Sequence, residues 1–263
     1  MFTFLYAIIL GLVEGITEFL PISSTGHLIL TSSLLKIPET NFLKTFEIAI
    51  QLGAILAVVV LYWRKLLLQK EVLTRVIIAF LPTAILGLLL YKVVKRYLLG
   101  NVEVVLWSLA AGGILLIVFE LLHKEKEAAI GEVEQLSYQQ AAAIGLFQSL
   151  AFIPGVSRAA ATIVGGLLLG LKRKTIVEFS FLLAIPTMAA ATGLDLVKNA
   201  GSFSGEQFGL LGVGFLVSFL TALVAIKWLL RFIEKHNFVW FGVYRITIAI
   251  VFMILMTSKL INQ

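Results

Sequence analysis

Two carboxylates, Glu14 and Glu18, stand four residues apart in an apolar stretch near the start of the chain. Because residues four apart share one face of a helix, we expect the two side chains within about 6 Å of each other. Two carboxylates this close in a low-dielectric setting need a proton or a cation between them. Oxygen ligands favour Mg²⁺ or Ca²⁺ over softer metals, so the pair is a candidate divalent-cation site. The alternative is a structural pair bonded to loop amides.

A polar segment follows these carboxylates directly after the chain is interrupted at Pro21. Its residues are Ser23, Ser24, Thr25, Gly26 and His27. Ser and Thr are good N-cap residues, and the N-terminus of a helix offers unpaired N–H groups to an anion. The segment therefore predicts an anion-binding turn, and its His is a candidate for acid–base work.

A second polar cluster follows another proline, in the segment Pro154-Gly155-Val156-Ser157-Arg158, with Thr162 one turn further on. Arg158 is a permanent charge in an apolar region, and its planar fork suits two phosphate oxygens. Ser157 and Thr162 add hydroxyls to the same candidate substrate-binding group. The alternative role of Arg158 is a salt bridge with Glu14 or Glu18, and both roles can coexist.

The composition excludes a water-soluble fold. Hydrophobic residues make up 60% and charged residues 14% of 263 residues, with a mean hydropathy of +1.02, whereas soluble domains are about half apolar and about a quarter charged. The absence of Cys excludes disulfide scaffolds and thiolate metal sites. The net charge of +6 predicts basic cytoplasmic loops and an anionic lipid or phosphate partner. Nucleic acid is not expected, because the basic residues lie in short loops rather than in one stripe.

Hydropathy predicts an all-α polytopic membrane protein that forms a single integral membrane domain over residues 1–263. A crossing needs about 20 mostly apolar residues. Six segments satisfy this: about 43–63, 75–94, 103–122, 178–198, 207–230 and 238–258. Two further apolar regions, 2–20 and 138–153, end at a proline and continue as short apolar segments. This pattern predicts re-entrant hairpins, which are tolerated at membrane depth where they are buried or line a wet cavity.

The two broken regions resemble each other, which indicates an internal duplication. The segment Gly11–Glu14 matches Gly145–Gln148 at an offset of 134 residues, and Pro21 matches Pro154 at an offset of 133. Repeat 1 would then cover about 1–130 and repeat 2 about 135–263. Each half has one hairpin and three crossings, an odd number, so the halves enter the membrane from opposite sides. We therefore predict an inverted-topology repeat with both hairpins at the membrane midplane.

Loop charges predict the orientation. Basic residues in the loops around 64–75, 172–174 and 231–235 fall on one side in this scheme, and the positive-inside rule makes that side cytoplasmic. Both termini would then lie outside. The loop that carries Lys92, Lys95 and Arg96 disagrees with this assignment.

Other unusual residues within the apolar segments have structural interpretations. Glu47, Gln51 and Arg245 are interpreted as groups that pair helices or support the site. Four glycines are interpreted as sites of close helix packing: Gly11, Gly15, Gly166 and Gly170. The residues alone thus predict a midplane site for an anion that needs a divalent cation, and a phosphate or pyrophosphate on a lipid fits that location.

The segment from Glu14 to His27 resembles the E-x-x-x-E…SSTGH signature of the undecaprenyl-diphosphatase family of bacitracin-resistance membrane phosphatases. The segment from Pro154 to Arg158 resembles the second signature of this family, P-G-x-S-R-S-G. The resemblance covers essentially the whole chain. Ala159 and Ala160 stand where the family has Ser and Gly, so no role is carried over for that second Ser.

This resemblance implies an enzyme of the bacterial plasma (inner) membrane. It would convert a C55 isoprenyl diphosphate to its monophosphate, which recycles the carrier for peptidoglycan synthesis and confers bacitracin resistance. It also implies Mg²⁺ or Ca²⁺ on Glu14 and Glu18, pyrophosphate on Arg158, and catalytic roles for Ser24 and His27. The oligomeric state is left open, with a homodimer as one candidate.

Alternatives remain for the chemistry and for the class of protein. Ser24 is the favoured nucleophile, with His27 or Glu18 as its base; His27 could instead attack phosphorus, or water could attack while Ser24 positions the substrate. A lipid flippase or secondary transporter would also have inverted repeats and polar midplane groups. PAP2-type lipid phosphatases are excluded, since they need a His shortly after the Arg and none follows Arg158 before His236.

Overall fold

The computed structural model describes residues 2–98, 101–199 and 205–258, and this part of the chain is almost entirely α-helical. Its helices are α1 (Phe4–Thr17), α2 (Ser24–Leu34), α3 (Asn41–Leu68), α4 (Lys70–Tyr97), α5 (Val102–Leu122), α6 (Tyr138–Gln148), α7 (Arg158–Leu168), α8 (Arg173–Asn199), α9 (Gly205–Ile233) and α10 (Val239–Thr257). Six of these, α3, α4, α5, α8, α9 and α10, are long and apolar enough to cross a membrane. The six predicted crossings and the polytopic class are therefore confirmed.

The first broken region folds as two helices joined by a tight turn. Thr3 caps α1 by accepting a hydrogen bond from the Tyr6 N–H, and α1 ends just before Glu18. Pro21 lacks an amide proton, so the helix cannot continue through it. Ser23 then adopts a positive φ of 72° and caps α2 by accepting from the Gly26 N–H.

The second broken region repeats this design. A capping box between Ser137 and Gln140 starts α6, which passes at Gln148 into a short 3₁₀ turn. After Pro154, Ser157 has a φ of 74° and caps α7 by accepting from the Ala160 N–H. The two turns thus end in serines of almost the same backbone conformation, each at the start of a short helix.

Small residues let helices from different parts of the chain approach closely. A Cβ atom on Gly11 of α1 would lie 2.7 Å from the Gly214 carbonyl oxygen of α9, and one on Gly15 would lie 2.5 Å from that of Ser218. The predicted packing role is therefore confirmed for this pair. Gly170 does not pack against a helix, because it faces open space. Its φ of 85°, which suits glycine, helps to end α7 instead.

The interior of the bundle is built around α8. Just over half of its apolar window is buried (56%), more than in any other candidate span of the described residues. Phe179, Phe181 and Leu182 on this helix are fully buried. By contrast, Leu88 on α4 and Leu121 on α5 are exposed, as expected for surfaces that face lipid.

Candidate active site

The turn between α1 and α2 and the turn between α6 and α7 are called the two broken turns below. A cavity of about 330 Å³ lies where they meet. Its polar wall is formed by the starts of the two short helices and the preceding carboxylate: Glu18, Ser23, Ser24, Thr25, Ser157 and Arg158. Its apolar wall includes Val94, Phe152, Ile153, Met188 and Ala191. Two helix N-termini therefore face one polar space, and such termini attract anions.

A chain of hydrogen bonds joins the two turns across this cavity. The Ser24 hydroxyl donates to Glu18 Oε2 at 2.5 Å, and Arg158 Nη2 donates to Glu18 Oε1 at 3.1 Å. Glu18 and Arg158 also form a salt bridge in which their side chains are only 5% and 11% exposed. The salt bridge anticipated for Arg158 is thus made with Glu18. Both oxygens of this carboxylate are in use, one on a hydroxyl and one on a guanidinium.

Arg158 is held in place from a second direction. Its Nη1 donates to the Ser180 carbonyl oxygen at 2.7 Å, and the Ser180 hydroxyl lies 2.7 Å from the Thr162 hydroxyl. Arg158 Nε is buried and has no partner among the described residues. An unpaired buried N–H is costly, so this edge of the guanidinium is suited to receive a phosphate oxygen.

Glu14 is a buried carboxylate that forms no salt bridge among the described residues. Its side chain is fully buried, and neither oxygen has a hydrogen-bond partner among the described residues. No group of three or more acids or histidines forms in this part of the chain. A Mg²⁺ or Ca²⁺ ion held by few carboxylates and by substrate phosphate oxygens needs no third acid. The orphaned oxygens of Glu14, beside Glu18 on the same helix, therefore fit such a cation.

His27 lies on α2 but does not reach the Ser24 hydroxyl. Its Nδ1 is 2.8 Å from the Ser23 carbonyl oxygen, which can only accept, so Nδ1 carries a proton. In the neutral ring Nε2 then accepts from the Tyr244 hydroxyl at 2.9 Å. Of the two bases considered for Ser24, the structure brings Glu18 to its hydroxyl.

A second polar cluster lines the same cavity. Gln148 Nε2 donates to the hydroxyls of Thr83 at 2.8 Å and Thr187 at 3.0 Å. These hydroxyls in turn donate hydrogen bonds to the carbonyl oxygens of Gly145 and Leu183. Gln148 matches Glu14 in the predicted duplication, but it is an amide rather than an acid. Its position therefore lacks the charge that a second cation site would need.

The other predicted site residues have different surroundings. Thr25 is exposed and lines the cavity, whereas Gly26 is buried and does not. Thr162 also lies outside the cavity wall, because its hydroxyl bonds to Arg158, Ala159 and Ser180. It supports the helix that carries Arg158.

Sequence reasoning missed Ser180 and Tyr244. Ser180 matches Glu47, 133 residues earlier, in the predicted duplication, and this match could have singled it out. Tyr244 had no such signal. Its contact with His27 joins residues 217 positions apart and arises only from the way α10 packs.

Comparison with known proteins decides the family. A family model described as bacitracin resistance protein BacA matches residues 7–251, nearly the whole chain. The chain belongs to the BacA family.

Curated relatives of this BacA-family chain share about half of its residues over almost its full length. A protein of Aquifex aeolicus (strain VF5) is 55% identical over 94% of this chain and 96% of its own length. One of Sulfurihydrogenibium sp. (strain YO3AOP1) is 56% identical over 95% of this chain and 98% of its own. One of Wolinella succinogenes is 55% identical over 94% and 96%. Each of the three is named undecaprenyl-diphosphatase.

Proposed function

We propose that this protein hydrolyses undecaprenyl diphosphate to undecaprenyl phosphate and inorganic phosphate. The observation that carries the proposal is the Ser24–Glu18–Arg158 chain at the meeting point of two helix N-termini. It combines a nucleophile, a base and a phosphate-binding cation in one cavity. Membership in the BacA family and the names of close relatives support this substrate, and recycling of the lipid carrier with bacitracin resistance follows from it.

The two walls of the cavity match the two parts of such a substrate. A diphosphate suits the polar wall, where Ser24, Ser157 and Arg158 lie, and the first isoprene units suit the apolar wall near Phe152 and Met188. Arg158 would bind phosphate oxygens through its unpaired Nε–H and the second Nη2–H. The amides at the starts of α2 and α7 would stabilise the charge on the transferring group.

The first chemical step would be attack by Ser24. Its Oγ forms a bond to the terminal phosphorus while its proton passes to Glu18 Oε2, which already accepts it at 2.5 Å. The bond between that phosphorus and the bridging oxygen breaks, and undecaprenyl phosphate leaves with the electron pair. The proton then moves from Glu18 to the leaving oxygen.

The second step would release inorganic phosphate. Water attacks the phosphorus bound to Ser24, Glu18 takes a proton from the water, and the bond from phosphorus to Oγ breaks. Glu18 returns the proton to Oγ, which restores the starting state. His27 takes no part in these transfers, because both of its nitrogens are bonded to Ser23 and Tyr244; we assign it to holding the turn.

Glu14, with Glu18 beside it, would hold the divalent cation of the enzyme. Bound there, Mg²⁺ or Ca²⁺ would supply positive charge to the diphosphate oxygens and so stabilise their negative charge in the transition state. The full burial of Glu14 excludes water from its oxygens. Without water the local dielectric constant is low, so a single carboxylate would attract a neighbouring cation strongly.

We further infer a single membrane domain made of two inverted repeats, with α1–α2 and α6–α7 as re-entrant hairpins. Three features support this arrangement. The serine turns have matching backbone angles, α1 packs on α9 as α6 packs on α4, and α5 pairs with α10. Exchanging each helix for its counterpart in the other half turns the α1–α9 contact into the α6–α4 contact and leaves the α5–α10 contact unchanged. A bacterial inner membrane is the location that the substrate requires.

Phosphate release by the purified protein tests the function. We expect inorganic phosphate from undecaprenyl diphosphate, and a comparison of C55 with C15 diphosphate measures the preferred prenyl length. A flippase or transporter would instead move the lipid across proteoliposome membranes without releasing phosphate. That result would reject the proposed hydrolysis.

A further inference from the structure

Arg245 on α10 is the largest fully buried side chain among the described residues. Its guanidinium donates five hydrogen bonds, all to backbone carbonyl oxygens. Nε donates to Leu109 at 3.4 Å; Nη1 donates to Pro21 at 3.3 Å and Val156 at 3.1 Å; Nη2 donates to Ser108 at 3.1 Å and Gly155 at 2.9 Å. Every N–H of the side chain is therefore used.

These five carbonyls belong to the two broken turns and to α5. Pro21 lies two residues before the cap Ser23, and Val156 lies immediately before the cap Ser157. One side chain thus bridges the turn that presents Ser24 and the turn that presents Arg158. Helix pairing, one of the two roles that the sequence predicted for Arg245, accounts only for its contacts with α5.

The charge of Arg245 is not balanced by an acid. It forms no salt bridge within the part of the chain that the structure describes, and it does not line the cavity. Burial of an unpaired charge is expensive, and an apolar side chain usually fills such a space at lower cost. The guanidinium therefore has a geometric role that an apolar residue could not fill.

That role is to aim peptide groups. In a trans peptide the C=O and the following N–H point in opposite directions. Because the Val156 carbonyl points at Arg245, the Ser157 N–H points away from it. Ser157 lines the cavity and Arg245 does not, so a bond on the hidden side of the turn sets the direction of a donor on the other side.

The neighbouring helix is shaped to admit the guanidinium. A Cβ atom on Gly112 of α5 would collide with Arg245 Nη2, and one on Gly113 would lie 3.2 Å from Arg245 Cβ. Both positions are glycine, so α5 leaves space for the fork beside the Ser108 and Leu109 carbonyls.

We propose that Arg245 is a positioning residue that holds the two broken turns in fixed relation, so that Ser24 and Arg158 meet the same diphosphate. This inference rests on the proposed phosphatase function. Arg245 acts through the carbonyls of Pro21, Gly155 and Val156 and does not contact the substrate.

The test compares Arg245→Lys, Arg245→Gln and Gly112→Ala with the wild type by steady-state phosphate release and thermal unfolding in detergent. Lysine keeps the charge but concentrates three donors at one point, so it cannot serve five carbonyls. We expect kcat to fall at least about 10²-fold in both Arg245 variants, as for a displacement of about 1 Å, while KM changes much less. Gly112→Ala keeps the guanidinium but displaces it, and should show the same pattern.

Phe252→Ala is the matched control, because Phe252 is buried on α10 in an apolar cluster with Leu30 and Leu106 that includes no residue of either turn. It should lower the unfolding temperature while kcat per folded molecule stays near the wild-type value. A wild-type kcat in Arg245→Lys would overturn the proposal, as would a proportional fall in the control. If neither Arg245→Lys nor Gly112→Ala folds, Arg245 is a folding requirement and the proposal is wrong. An inactive wild type would reject the phosphatase function itself.

Discussion

The Ser24 hydroxyl and the Glu18 carboxylate, 2.5 Å apart, lie on opposite sides of the break at Pro21. Glu18 is the C-cap residue of α1 and Ser24 begins α2, so the turn between them folds the chain back on itself. A hydroxyl and a carboxylate at this distance form a short, charge-assisted hydrogen bond. The same break that separates α1 from α2 therefore creates the pair proposed to start the reaction.

Removal of either member of this pair should abolish most of the turnover. Ser24→Ala deletes the nucleophile, and Glu18→Gln deletes the base, for which a loss of about 10²–10⁴-fold in kcat is expected. Binding of a non-hydrolysable diphosphate lipid should survive in Ser24→Ala. Ser33→Ala, on the same helix but outside the cavity, is the control. Substantial hydrolysis by Ser24→Ala, or a phosphohistidine trapped at His27, would exclude Ser24 as nucleophile.

Arg158→Lys should be severely impaired although the charge is kept. Arg158 contacts Glu18 and Ser180 through different edges of its planar guanidinium. Lysine has a single ammonium group, so it cannot contact both and a phosphate at the same time. By analogy with arginines in phosphoryl transfer, kcat should fall about 10³-fold or more. Arg64→Lys, at an exposed position, should behave as the wild type. A nearly normal Arg158→Lys enzyme would reduce Arg158 to a counter-ion for Glu18.

Chelation should stop the reaction, and Mg²⁺ or Ca²⁺ should restore it. Glu14→Gln should raise the concentration of cation needed for half-maximal activity, because the amide lacks the charge that binds a hard cation. Calorimetric titration of the cation provides a readout that is independent of turnover. Glu103→Gln, an exposed carboxylate on α5, serves as the control. Full activity in excess EDTA would contradict a metal role for Glu14.

His27 should be replaceable in part. Asn can donate to the Ser23 carbonyl much as His27 Nδ1 does. His27→Asn should therefore retain several-fold more activity than His27→Ala, which is the size of effect expected from one hydrogen bond. Tyr244→Phe, which removes the bond to Nε2, should cause only a mild loss. If His27→Asn were as inactive as Glu18→Gln, His27 would have a direct chemical role.

The predicted orientation is tested by single cysteines, since the chain has none. Thr40 and Gln69 are exposed at opposite ends of α3, and Lys174 is exposed at the start of α8. An impermeant thiol reagent should label Thr40→Cys from outside and neither Gln69→Cys nor Lys174→Cys. Ser202, which the same scheme places outside, lies beyond the described residues. External labelling of Gln69→Cys would reverse the topology.

Local sequence patterns were sufficient for the crossings and the broken turns. A span needs about 20 apolar residues and a proline removes a helix donor. Both are properties of short stretches of chain. The same holds for the caps Ser23 and Ser157, which bond to amides three residues away. Glu14, Glu18 and Arg158 were recognisable because a charge in an apolar segment is costly.

Pairing between distant residues was decided by the tertiary structure alone. The sequence left Glu14 and Glu18 as equal partners for Arg158, and His27 and Glu18 as equal bases for Ser24. The fold selects Glu18 in both cases and turns His27 towards Tyr244. Arg245, interpreted from sequence as a group that pairs helices or supports the site, bridges both turns because the packing of α10 against α5 brings it there. Residue types determined which chemistry was available, whereas the crossing of helices determined which groups contact each other, because contacts between residues more than 100 positions apart leave no local pattern.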